Sequence, residues 1–312
     1  LEQTNTGGIM VDFDFLSEQR PWTKKDINSL GDYFAGTDEK PGNAAEILLW
    51  YDGLARQTAS ACEAFARQFF DEGWWRPEIT SAFRVKSQTS IGEKIRRTEE
   101  DPSTKVRLNR MWDFAGARIT VNVLHNDLRF ISSEFQQVFE EAGHRVSTRD
   151  YLSRPQLGGY RALHLVIHAA AGNVELQMRT LLQSEWANTF EKVADKTGRR
   201  LRYESDYRPS NQELADIANK LEEIAAQIYR MEQRTELAIG RKMASLRLMA
   251  EVPKGIPLNP EVHFLRAKAL RELADAETAT GNQASSTLSL IAELRRLKQT
   301  IDKYEPESEG NQ

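Results

Sequence analysis

The residues best suited to chemistry in this chain are carboxylates set among cations. In Val174-Glu175-Leu176-Gln177-Met178-Arg179-Thr180, apolar and polar residues alternate. A β-strand here directs Val174, Leu176 and Met178 into a core and puts a carboxylate, an amide and a guanidinium on the opposite face. Taken alone, the stretch reads as a half-exposed strand with a solvated polar face. A second carboxylate, Asp113, begins another strand, and Arg84, Lys86, Lys94, Arg118 and Arg179 can converge on the space between the two acids. Carboxylates opposed to many cations suit a triphosphate with Mg²⁺. One acid holds the metal, the other takes a proton from an attacking hydroxyl, and the cations absorb developing phosphate charge. No Gly-x-x-x-x-Gly-Lys-Ser/Thr loop and no Gly-x-Gly-x-x-Gly occurs, which excludes Walker-type ATPases and protein kinases by motif.

The elements that position these groups follow from periodicity. Residues 1–42 are polar with scattered Gly and Pro and read as an irregular lead-in. Asn43 to about Phe70 is helical, with Ile47, Leu48, Leu54, Ala61, Phe65 and Phe69 near one stripe, and the following Trp74-Trp75 pair reads as packing. Phe83 to Ser87 reads as a short strand with Arg84 and Lys86 on one side. Ser87 or Thr89 then caps a helix whose Ser90, Lys94 and Arg97 share a face, a natural anion site near a helix N-terminus. Thr98 to Arg110 reads as a loop and Ile119 to Val123 as a strand. Asn126 to Ala142 is a helix stopped by Gly143, and Arg149 to Tyr160 is a loop. Arg161 to Ala169 is a strand that turns through Gly172-Asn173 into the Glu175 strand, after which Thr180 caps a helix to about Lys196. Beyond Pro209, Leu214, Ile217, Leu221, Ile224, Ile228 and Met231 recur at 3-4-3-4-3 spacing, a seam that needs another helix against it. Two more amphipathic helices are expected at about Pro260–Ala279 and Ser285–Tyr304.

Strands interleaved with helices and ending in an antiparallel hairpin predict an α+β or mixed α/β domain at about residues 81–205. A lead-in and helix (1–80) precede it, and a helical extension (206–312) suited to oligomerisation or regulation follows. The chain has 312 residues and a net charge of −4, so nothing global argues for a nucleic-acid coat or a membrane surface. Cys62 is the only cysteine, which excludes an intrachain disulfide and a cysteine zinc site and fits a reducing cytoplasm. No apolar run is long enough to span a bilayer, so a soluble, cytoplasmic protein is expected.

Several short motifs occur in a fixed order: Arg84-x-Lys86-Ser87, Ser90-Ile91-x-x-Lys94, Asp113-x-x-Gly116-x-Arg118-Ile119, Asp150-Tyr151, Gly159-Tyr160-Arg161-x-Leu163-His164, Glu175-x-Gln177-x-Arg179-Thr180 and Trp186-Ala187. This ordered set resembles the synthetase domain of the RelA/SpoT family. That domain is a mixed sheet related to nucleotidyltransferases, and the family moves the β,γ-pyrophosphate of ATP onto the 3′-hydroxyl of GDP or GTP. Carried over position by position, the resemblance implies that Arg84, Lys86, Ser90 and Lys94 hold the ATP phosphates. Arg118 either joins them or serves as an internal strut. Asp113 would bind Mg²⁺, and Glu175 would activate the 3′-hydroxyl and assist metal binding. Tyr160 would stack on guanine, with His164, Gln177 and Arg179 lining the acceptor pocket. Arg149 stands where the family often carries Lys, so it keeps the charge expected beside the acceptor's phosphates; Gln156 does not keep the charge of its position. The five histidines include no adjacent His-Asp pair and little sequence precedes residue 80, so the resemblance implies a synthesis-only enzyme without the family's hydrolase domain.

Two other functions fit parts of the sequence. Lys196, Arg199, Arg200, Arg202 and Arg208 form a basic cluster, which under the same resemblance is compatible with a toxin that pyrophosphorylates the tRNA 3′ end. A non-catalytic nucleotide sensor or scaffold would retain the fold, but a binding module has no need of both Asp113 and Glu175. The helical tail could dock an antitoxin or other partner, or build a homo-oligomer.

Overall fold

The computed structural model describes all residues except 1–10, 72–75, 100–105, 198, 203, 205–206, 252–259 and 307–312. Helices α1 (Lys24–Ala35) and α2 (Ala44–Asp71) precede strand β1 (Ile79–Val85), helix α3 (Gln88–Glu99) and strand β2 (Ala115–Val121). Helix α4 (His125–Glu141) and strands β3 (Arg145–Asp150), β4 (Leu163–Ala169) and β5 (Gly172–Thr180) follow, then helices α5 (Leu181–Thr197), α6 (Gln212–Glu251) and α7 (Pro260–Ile301). The fold is α+β, with a five-stranded mixed sheet ordered β1-β2-β5-β4-β3 and flanked by helices.

The chain forms two compact units. The first comprises residues 1–123, 127–153 and 162–179, and the second comprises 124–126, 154–161 and 180–312. In the first unit, β1 pairs with β2, β3 with β4 and β4 with β5, all antiparallel. The core gathers Ala117 and Ile119 of β2, Leu165 and Ile167 of β4, and Val174, Leu176 and Met178 of β5 with Ile47, Phe135 and Phe139 from the helices. Each large apolar side chain among them, fully buried, contributes about 1.5–3 kcal/mol. In the second unit, Leu214, Ile217, Leu221, Ile224 and Ile228 of α6 pack with Trp186 of α5 and with Leu290, Leu294 and Ile301 of α7, so the partner for the heptad seam comes from the same chain.

Four local expectations are corrected. The lead-in contains α1, because Thr23 and Asp26 close a reciprocal capping box and Ile27, Leu30 and Ala35 turn toward the core. Arg149 and Asp150, read as the start of a loop, end a strand from Arg145 to Asp150 that was not read; as the polar edge strand it lacks the alternation by which half-buried strands are read. Strands β1 and β2 each begin four residues earlier than read, at Ile79 and Ala115, since pairing along β1–β2 from Ile79↔Val121 to Val85↔Ala115 outweighs local polarity. Finally, α7 runs unbroken from Pro260 to Ile301 through Gly281 and Asn282; an interior Gly costs only about 1 kcal/mol, which the packing of Leu290, Leu294 and Ile301 outweighs. The readings of Trp74-Trp75 and of residues 100–105 in the expected loop fall outside the described residues.

Candidate active site

Register determines which side chains share a surface. Residues directly opposite one another in antiparallel strands project from the same face. On β1 and β2, Arg84 lies opposite Gly116 and Arg118 opposite Ala82. On β3, β4 and β5, Arg149 lies opposite His164, which lies opposite Gln177. Because Ala117, Leu165 and Leu176 occupy the core face, Arg84, Arg118, Arg149, His164, Glu175, Gln177 and Arg179 all belong to the other one. The sheet thus brings together, within the first unit, acids and cations spread over almost a hundred positions of sequence.

The polar face of β5 is not solvated, contrary to the reading of that strand alone. Glu175 is 8% exposed and Arg179 only 1%. A buried carboxylate needs partners, and Glu175 has two: its Oε1 lies 3.1 Å from His164 Nδ1, and its Oε2 accepts from Gln177 Nε2 at 2.8 Å. Gln177 Oε1 accepts in turn from an Arg179 Nη at 2.9 Å. Burial pushes the Glu175 carboxyl upward and the nearby charge of Asp113 adds to that. The hydrogen bonds from His164 and Gln177 and the His164 charge outweigh both, and hold it below the ordinary glutamate value.

Asp113 lies just before β2 and is clasped by two ammonium groups. Lys86 Nζ reaches one carboxylate oxygen at 2.6 Å and Lys94 Nζ the other at 2.9 Å. Lys86 follows β1, its backbone N–H donating to Phe114 at 2.9 Å, while Lys94 stands on α3. That helix is capped by Ser87, whose Oγ accepts from the Ser90 N–H at 3.3 Å and lies 2.5 Å from Ser90 Oγ. Burial raises the Asp113 carboxyl, but the two lysine charges override it and hold its pKa at about 2. Asp113 and Glu175 therefore both carry charge at neutral pH.

The other anticipated residues are placed as follows. Arg84 is exposed and Arg118 half-buried. Arg149 lies over the Trp112 ring, 4.2 Å from its centroid, and donates to Tyr151 Oη at 3.4 Å. Tyr151 meets His164 edge-on at 5.0 Å. Tyr151 belongs to the Asp150-Tyr151 motif but was given no role from sequence, and Trp112 was not singled out, although an aromatic next to Asp113, 40% exposed in the fold, is the available signal. Tyr160 belongs to the second unit, where it is half-buried against the cluster of Trp186 and Phe190. In the basic cluster, Arg200 is bound by Glu204 and Arg202 by Asp195, so two of its charges are locally countered.

The donor set fits Mg²⁺. That ion uses one or two carboxylates and takes its remaining ligands from water and substrate phosphates, and Asp113 and Glu175 are two ionised carboxylates close enough to influence each other electrostatically. Among the described residues no cluster of three His, Cys, Asp or Glu would hold a metal by itself, and no helix is long and apolar enough to cross a membrane.

Residues 83–200 match the model of the region found in RelA / SpoT proteins. The uncharacterized protein Rv1366 of Mycobacterium tuberculosis is 30% identical over 221 residues, covering 70% of this chain and 74% of its own. The GTP pyrophosphokinase YwaC of Bacillus subtilis is 30% identical over 160 residues, covering 45% of this chain and 68% of its own. A crystal structure of small alarmone synthetase 1 from Bacillus subtilis, bound to its product pppGpp, aligns with TM-score 0.45 and 24% identity over 64% of this chain and 100% of that one. With its two carboxylates and their lysine and histidine partners inside the matched region, the chain belongs to the RelA/SpoT family.

Proposed function

We propose that the chain is a pyrophosphokinase that transfers the β,γ-pyrophosphate of ATP to the 3′-hydroxyl of GDP or GTP and releases AMP. The observation that carries this reading is a lysine-clasped carboxylate within electrostatic reach of a buried carboxylate oriented by histidine and glutamine. Family membership and the GTP pyrophosphokinase relative support it.

In this reading Arg84, Lys86, Ser90 and Lys94 receive the ATP phosphates. The two ammonium groups already lie beside a carboxylate, so they can turn to an incoming polyphosphate at little reorganisation cost. Glu175, ionised in the neutral range, takes the proton of the 3′-hydroxyl. The 3′-oxygen bonds to the β-phosphorus while the bond from that phosphorus to the α-bridging oxygen breaks, and AMP leaves with the electron pair. His164 and Gln177 hold Glu175 in one orientation, so little freedom is lost on reaction. Arg118 and Arg179 contribute positive charge on the same face, and Arg149 serves the acceptor's phosphates. Asp113 and Glu175 would hold Mg²⁺, which when bound would supply electrostatic stabilisation of the phosphoryl charge.

The test is a transfer assay with γ-labelled ATP and Mg²⁺, offering GDP, GTP and tRNA separately and following AMP release. Label in guanosine tetra- or pentaphosphate is the expected result. Label in tRNA alone reassigns the acceptor, and absence of transfer to all three refutes the activity.

A further inference from the structure

The helical extension holds a cleft that the transfer chemistry does not use. Between α6 and α7 lies a cavity of about 640 Å³, walled by Gln227, Arg230 and Arg234 on α6 and by Asn282, Gln283 and Ser286 on α7. Its size is that of a small-molecule site.

The two walls differ in chemistry. Arg230 and Arg234 stand one turn apart on one face of α6. Among the described residues neither forms an ion pair or hydrogen bond, whereas Arg56, Arg67, Arg107, Arg129 and Arg202 each have a carboxylate. Opposite them, α7 carries no charged residue from Thr278 to Ala292, in a chain that is 28% charged. A solvated helix face ordinarily carries charges and i,i+4 ion pairs. This stretch instead presents amides and hydroxyls and retains Gly281 and Asn282, both poor helix formers, in its interior. Glu293 at the end of the cleft is countered by Lys220 at 3.4 Å. Two unpaired guanidiniums facing neutral donors and acceptors form a recognition surface for phosphate oxygens joined to a hydroxyl- or amide-bearing body, since guanidinium matches phosphate in a bidentate manner.

We propose that this cleft binds a small phosphorylated molecule of nucleotide size, with Arg230 and Arg234 holding its phosphates and Asn282, Gln283 and Ser286 its polar body. The cleft shares no residue with those assigned to transfer, and the proposal does not depend on that activity.

Equilibrium dialysis of the full-length chain against inorganic pyrophosphate and ADP tests it. Both arginines are exposed, so R230Q/R234Q preserves the helix. This variant is expected to bind one equivalent of ADP fewer than the unmodified chain, or to bind it at least tenfold more weakly, with unchanged basal turnover. The same loss is expected on a Lys94→Ala background, which separates this cleft from the phosphate-binding lysines. ADP is expected to bind more tightly than pyrophosphate at the arginine-dependent site. Unchanged stoichiometry and affinity in R230Q/R234Q overturn the site, and equal affinity for the two probes overturns the role given to α7.

Discussion

Asp113→Asn tests the electrostatics of the site independently of any substrate. The carboxylate is paired to Lys86 and Lys94 at 2.6 and 2.9 Å, and its side chain is 27% exposed. Its pKa is about 2, against an ordinary value of 3.8. A tenfold change in acidity corresponds to about 1.4 kcal/mol, so the ionised carboxylate stabilises the fold by about 2 kcal/mol at neutral pH. Because the folded-state pKa is depressed, this contribution is fully present above the unfolded value and is lost as pH falls through the folded one; roughly half remains near pH 3. Asparagine keeps the shape, removes the charge and leaves two ammonium groups without their counterion. The variant is expected to lose about 2 kcal/mol in urea unfolding at pH 7, or roughly 4–8 °C in melting temperature. The difference from the unmodified chain should shrink toward pH 3. Equal or greater stability of the variant at pH 7, or a difference that stays constant down to pH 3, refutes the account of the lysine clasp.

Two further predictions follow from the same geometry. Glu175→Gln removes the proton acceptor while keeping its size, so kcat should fall about 10²- to 10⁴-fold with KM for ATP little changed. Steady-state kinetics that show an ATP-affinity loss with turnover intact would remove Glu175 from the role of base. Gly92→Ala tests the α1–α3 crossing, where an added Cβ would lie 2.0 Å from the carbonyl oxygen of Phe34. Overpacking against backbone should cost about 1–3 kcal/mol or more in urea unfolding, and a neutral result would show that the helices do not approach so closely.

Much of the site was legible because its parts are local. The alternation around Glu175, the Ser87 cap that presents Ser90 and Lys94, the Thr180 cap and the heptad seam from Leu214 to Met231 are each written within a few turns or strand steps. Periodicity and capping act over that range, so these elements appear in the fold close to where they were read. Helix α1 escaped although its Thr23–Asp26 capping box is local; in the other elements that escaped, distant partners outweigh local signal. Strand β3 exists because β4 supplies its hydrogen bonds, and α7 continues through Gly281 because Leu290, Leu294 and Ile301 are packed further along it. The sequence by itself determined which residues carry charge, which faces are apolar and the order of the motifs. Only the tertiary structure decided that Glu175 and Arg179 are buried rather than solvated, that Lys86 and Lys94 meet on Asp113, and that Trp112 lies under Arg149. Strand order and register set these contacts, because the energies of burial and ion pairing depend on partners many residues away, which no local pattern specifies.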